Sequence, residues 1–147
     1  MESVCVKCEE YPKIIQSVLQ NMTVAPKTAA VLALHGDLGA GKTTFTQVLA
    51  TELGVTDSVT SPTFVIQKIY STNDKRWTQL IHIDAYRLND SDDLKPLRLT
   101  ELWDDPANLV VIEWPERIAS HIPGHAMHLR FSVINETTRR IEFIKDQ

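Results

Sequence analysis

The run Gly36-Asp37-Leu38-Gly39-Ala40-Gly41-Lys42-Thr43 satisfies the pattern G-x-x-x-x-G-K-[ST] without a mismatch, and Thr44 extends it. Each position has a physical task. Glycines let the backbone curl until successive N–H groups point inward, forming an anion nest that Cβ atoms would crowd. A helix starting at the end of such a loop adds the positive end of its dipole. Lys42 supplies a mobile charge suited to the β and γ phosphates of a nucleotide, and Thr43 a hydroxyl suited to Mg²⁺. By average residue usage, chance would produce the match in a chain of this size about once in a hundred or less.

Two acids extend the chemistry. Leu80-Ile81-His82-Ile83 leads into Asp84, and Leu109-Val110-Val111-Ile112 leads into Glu113. If both runs are strands of a parallel sheet, both carboxylates emerge at its carboxyl edge, where open α/β folds bind their ligands. Either acid alone reads as an ordinary solvated strand end. Together with the glycine loop they suggest groups that hold a metal or direct water. The N-K-x-D segment that usually confers guanine specificity is absent, since Asn73-Asp74-Lys75 and Asn89-Asp90-Ser91-Asp92 do not fit it. ATP with Mg²⁺ is therefore the expected ligand pair.

These groups need a frame. Ala29 to Leu34 is a short, almost wholly apolar run, as expected of a strand buried on both faces. From Lys42 the period becomes helical, with Phe45, Val48, Leu49 and Leu53 on one stripe and Gly54 as a left-handed stop. The spacing of Ile14, Ile15, Val18, Leu19 and Met22 predicts an amphipathic helix over about Pro12 to Asn21, proline being tolerated in a first turn. Phe64 to Tyr70 and Gln79 to Ile83 read as strands joined by a polar connection, a candidate hairpin. A polar helical piece over Ser91 to Leu102, a buried strand over Asn108 to Ile112 and a helical turn over Pro115 to Ser120 follow. Ala126 to Ile134 and Arg140 to Ile144 alternate as strands around the turn Asn135 to Thr138. Buried strands interleaved with helices predict an α/β fold, a P-loop NTPase-like three-layer sandwich with a mostly parallel central sheet. A chain of 147 residues fits one such domain, residues 1–147.

Composition limits the remaining possibilities. No apolar stretch approaches the roughly 20 residues that cross a bilayer, and Met1 to Glu10 lacks the basic-then-apolar order of a secretion signal, so a cytoplasmic protein is expected. Cys5 and Cys8 have no second pair or spaced histidine nearby and read as reduced thiols. A formal charge of −4 argues against a chain that holds RNA by its own field.

Four segments in this order and spacing resemble the TsaE family, also called YjeE: GDLGAGKTT from Gly36, SPTF from Ser61, HIDAYRL from His82 and IEWPE from Ile112. The first is shared by many NTPases, whereas the other three together are distinctive. The likeness spans about Val31 to Glu116 and extends weakly to Arg139 and Arg140. It implies a P-loop ATPase, weak alone, that works with TsaB and TsaD. In that machinery TsaD transfers a threonylcarbamoyl group to N6 of an adenosine in tRNA, and the ATPase resets the complex between turnovers. By resemblance Lys42 and Thr43 hold phosphate and Mg²⁺, Glu113 is the second protein group at the metal, and Asp84 lies beside the γ-phosphate. Ser61 and Thr63 resemble a nucleotide-dependent switch segment. Tyr86 and Arg87 suggest a partner or phosphate contact, Trp114 a rim or gating aromatic, and His35 and His82 structural neighbours of the loop. The sequence departs from the family at Ala85, where a larger apolar residue is usual, and at Cys5 to Pro12, so the base pocket is carried only to the neighbourhood of Ser3 to Val6. Two other readings use the same loop: a small-molecule or nucleoside kinase, for which no arginine-bearing lid is evident, and a binding switch with negligible turnover.

Overall fold

The computed structural model describes residues 3–22, 27–59, 66–88 and 94–144. Its strands are β1 (Ser3–Lys7), β2 (Ala30–His35), β3 (Gln67–Ser71), β4 (Gln79–Asp84), β5 (Asn108–Glu113), β6 (Met127–Val133) and β7 (Thr138–Ile144). They form one sheet in the order β1-β7-β6-β2-β5-β4-β3. The central strands β6, β2, β5 and β4 are mutually parallel, while β3 runs antiparallel to β4 and β7 antiparallel to both β6 and β1. This is the mostly parallel α/β sheet that the alternating pattern predicts. The apolar runs of β2, β4 and β5 lie at its centre because both faces of those strands are covered. On one side Leu32, Leu34, Leu80, Leu109 and Val111 belong to one apolar cluster, and on the other Val31, Ile81, Ile83, Val110 and Ile112 belong to a second.

Two helices cover the first side. Helix α1 (Tyr11–Asn21) buries Tyr11, Ile14, Ile15, Val18 and Leu19, and helix α2 (Lys42–Glu52) buries Phe45, Leu49 and Ala50. Phe45 joins the layers, meeting Tyr11 and Phe131 edge to face at centroid distances of 5.6 and 5.2 Å. The second side is covered by shorter pieces: a 3-10 turn at Lys95–Leu97, helix α3 (Leu99–Trp103) and a 3-10 segment at Pro115–His121.

Differences from the sequence expectation have local causes. The helical piece expected over Ser91 to Leu102 is split at Arg98, whose φ of +52° is left-handed, just after Pro96 removes an amide donor; residues 91–93 lie outside the described set. The hairpin of β3 and β4 is present, with Phe64 and Val65 of its expected first strand outside the described residues. Thr138 and Arg139 lie in β7 rather than in the turn before it. Strand β1 was not expected at all. Its five residues are too few to declare a period, and it exists by pairing with β7, Val6 opposite Arg139 and Lys7 opposite Thr138.

Candidate functional site

β2 ends at His35, and the glycine loop turns from it directly into α2. Two glycines are required by space as well as by dihedral angle. Gly36 has φ +140°, and a Cβ there would stand 2.6 Å from the Phe131 carbonyl oxygen. Gly41, the left-handed residue capping α2 at φ +103°, would place a Cβ 2.5 Å from the Tyr11 hydroxyl. That hydroxyl is itself buried, which with nearby Cys8 pushes its pKa up to about 12 against the opposing pull of Arg139, so it stays neutral beside the loop. Within the loop Asp37, Leu38 and Gly39 are exposed and Ala40 is buried.

Lys42 is only 4 % exposed. Its ammonium donates to the Gly36 carbonyl at 2.5 Å and lies 3.8 Å from the ring centroid of Trp114, over its face. Burial lowers its pKa, opposed by the carboxylates of Glu113, Glu116, Asp84 and Asp37. Trp114 is held for this contact by a left-handed backbone at φ +57° directly after β5, and its ring also packs on Tyr86 at 4.9 Å.

The next residue ties the helix to the sheet. Thr43 Oγ1 donates to the Glu113 carboxylate, 3.1 Å from Oε1 and 3.3 Å from Oε2. Glu113 is 3 % exposed, and its Oε2 also accepts from Nε2 of fully buried His82 at 2.5 Å. A buried carboxylate needs such donors, and here they fix its orientation toward the start of α2. Asp84 stands opposite Glu113 in the β4–β5 register, half-buried, with Oδ1 accepting the Tyr86 amide at 3.0 Å.

Lys42, Thr43, Thr44, Asp84, Glu113 and Trp114 line a cleft of 240 Å³ together with Cys8, Leu38, Gly39, Gly41 and Arg139. Arg139 reaches it from β7. Its Nη2 donates to the Gly39 carbonyl at 3.3 Å, while Nη1 bonds the carbonyls of Asn135 and Thr138 at 2.8 and 3.2 Å.

The arrangement can receive a phosphate chain on backbone donors, a lysine and a helix start. Among the described residues no three of His, Cys, Asp or Glu converge as a metal site. Magnesium at a phosphate keeps several waters and needs only one or two protein oxygens, and the adjoining Thr43 hydroxyl and Glu113 carboxylate fit that requirement. All the sequence-predicted positions from Asp37 to Thr44, with Asp84 and Glu113, therefore fall in or beside one cleft. Ser61 and Thr63 lie outside the described residues. Sequence reasoning did not anticipate Arg139 or Cys8 at the cleft, the His82–Glu113 bond, or the seat of Lys42 on Trp114. Each depends on strand register, and only the neighbouring motif residues gave any local signal for the last two.

Comparison with known proteins points one way. The family model for "Threonylcarbamoyl adenosine biosynthesis protein TsaE" matches residues 7–141. The tRNA threonylcarbamoyladenosine biosynthesis protein TsaE of Bacillus subtilis is 33% identical over 132 residues, covering 90% of this chain and 80% of the relative. The protein of the same name from Streptomyces coelicolor is 36% identical over 117 residues, covering 78% and 76%. A crystal structure of Bacillus subtilis YdiB superimposes with a TM-score of 0.71 at 30% identity, covering 97% of this chain and 84% of that one.

Proposed function

The chain belongs to the TsaE family, whose role lies in threonylcarbamoyladenosine biosynthesis, and from that premise we propose that it is a Mg²⁺-dependent P-loop ATPase, slow alone, that works with TsaB and TsaD and resets them between turnovers on tRNA. Work in the cytoplasm belongs to the same reading. The supporting observation is the bond from Thr43 to Glu113, which joins the first turn of the loop helix to the acid ending the neighbouring parallel strand.

The residues divide the task by position. The loop amides from Asp37 to Thr44 receive the phosphates of ATP, and Lys42 leaves the Gly36 carbonyl to meet the β and γ oxygens. Thr43 and Glu113 would hold Mg²⁺, which would supply charge neutralisation at the phosphates. His82 keeps the Glu113 carboxylate aimed at that place. Asp84, across the β4–β5 register, directs the attacking water toward the γ-phosphate. Ser61 and Thr63 serve as the nucleotide-responsive switch.

Two measurements test this reading. Calorimetry should detect adenine-nucleotide binding that requires the loop and strengthens with Mg²⁺. Phosphate release should be slow for the chain alone and rise when TsaB and TsaD are added. Absence of nucleotide binding, or turnover indifferent to those partners, would overturn it.

A further inference from the structure

Among the described residues, no apolar cluster covers the second face of one wing of the sheet. The apolar cluster on the second face draws on β2, β4 and β5 but on no residue of β1, β6 or β7. The first face of that wing is sealed against α1 and α2 by Val6, Leu129, Phe131 and Ile141. The opposite face carries the alternate residues, among them Lys7 of β1, Arg140 of β7 and Arg130 of β6, all exposed. The register sets these cations on a diagonal: Lys7 faces Thr138, Arg140 faces Ser132, and Arg130 faces Glu142 on one side and His35 of β2 on the other. Diagonal neighbours of this kind stand about 7 Å apart, the spacing of alternate residues along an extended strand. Among the described residues neither Arg130 nor Arg140 makes an ion pair.

The diagonal leads toward a cavity of 450 Å³ whose lining includes Pro115, Ile122, Ile144, His35 and His128, with Glu116 at its rim. His35 Nε2 and His128 Nδ1 are bonded to each other at 2.8 Å and His35 Nδ1 lies 3.7 Å from Glu116 Oε2, so these polar groups are partly satisfied within a lining that also offers the apolar surfaces of Pro115, Ile122 and Ile144. Arg130 also lines a second cleft together with Gly36 and Asp37, on the outer side of the phosphate loop.

We propose that this open face is the docking surface for a protein partner that presents an extended acidic segment beside an apolar side chain. Carboxylates two residues apart pair with Arg130 and Arg140, Lys7 continues the row, and the apolar side chain enters the cavity between Pro115, Ile122 and Ile144. Guanidinium groups suit this because their planar donors engage a carboxylate in pairs. A protein occupant fits better than RNA. Three cations release few counterions, the chain carries a formal charge of −4, and among the described residues the face offers no Phe, Tyr or Trp on which bases could stack.

The identity of the partner, the TsaB–TsaD pair, rests on the function proposed above, and the test separates the two ideas. Binding of the full chain to the purified pair, with ATP and Mg²⁺ present, is compared between wild type and the double variant Arg130→Glu/Arg140→Glu, with nucleotide affinity measured in parallel. The double variant should bind nucleotide as wild type does but bind the pair about tenfold or more weakly, and the wild-type interaction should weaken with salt. Lys68→Glu, on β3 at the opposite edge of the sheet, should change nothing. Wild-type affinity in the double variant would overturn the docking surface while leaving the ATPase reading intact. A chain that binds the pair but no nucleotide would do the reverse, and a wild type that does not bind the pair would remove both. Salt-sensitive retention of tRNA by the chain alone, lost in the double variant, would assign the face to RNA and overturn the proposal.

Discussion

Replacing Trp114 with leucine should tighten the proposed nucleotide binding, although the residue lines the cleft beside the glycine loop. In the structure the Lys42 ammonium is spoken for, bonded to the Gly36 carbonyl and seated 3.8 Å from the indole centroid. To reach a phosphate it must give up that seat. A cation–π contact with a largely desolvated ammonium is worth about 1 to 2 kcal/mol, and all of it favours the empty loop. Leucine keeps apolar bulk beside the lysine but removes the π face, so the same free energy returns as affinity, about five- to thirtyfold. The assay is calorimetric titration with Mg²⁺ and ADP, which avoids turnover, alongside thermal melting to show that the variant is folded. Unchanged affinity would mean that the indole does not hold the lysine away from its ligand. Weaker affinity would mean that Trp114 contacts the nucleotide itself, and would refute the reasoning.

Glu113→Gln keeps its one carbonyl oxygen as the acceptor for His82 and turns its amide N–H toward the Thr43 hydroxyl, which can accept, so it should leave stability within about 1 kcal/mol while lowering phosphate release by about a hundredfold or more. Glu113→Ala strands the buried His82 donor and the half-buried Thr43 hydroxyl and should also cost about 2 to 3 kcal/mol in urea unfolding. Gly36→Ala puts a methyl 2.6 Å from a backbone carbonyl, and nucleotide binding should be lost with a fall in melting temperature. Burial chiefly, with His128 adding and Glu116 opposing, holds the His35 pKa below 6.5, and burial does the same for His128. The unfolded chain therefore takes up protons before the folded one does. Stability present above pH 6.5 should be lost as pH falls through the folded-state values, and His128→Gln should flatten that slope in urea titrations from pH 7.5 to about 5.

What could be read in advance was what is local. The loop, Lys42 and Thr43 are contiguous and carry their own punctuation, and Asp84 and Glu113 close apolar runs too uniform to be anything but central strands. The hairpin of β3 and β4 was legible for the same reason. Pairings were not. Arg139 reaches Gly39 only because β7 lies between β1 and β6, and no spacing within the chain announces that order. His82 read as a structural neighbour of the loop, with no partner evident in the sequence around it. Its proton partner sits two residues along the neighbouring strand, beyond what a single run of residues can reveal. Strand β1 is the extreme case, since its short sequence acquires meaning only from the edge it completes.

That edge has a consequence for how the protein comes into being. β1 and β7 lie far apart in the chain yet pair along their whole length, and the second of them delivers Arg139 to the phosphate loop. A ribosome therefore extrudes the loop and its helix long before Arg139, and the β1–β7 pairing must join strands that enclose nearly all the other elements between them. Contacts of such sequence separation form late, so a nascent chain would carry a recognisable loop for much of its synthesis while the cleft beside it still lacked Arg139.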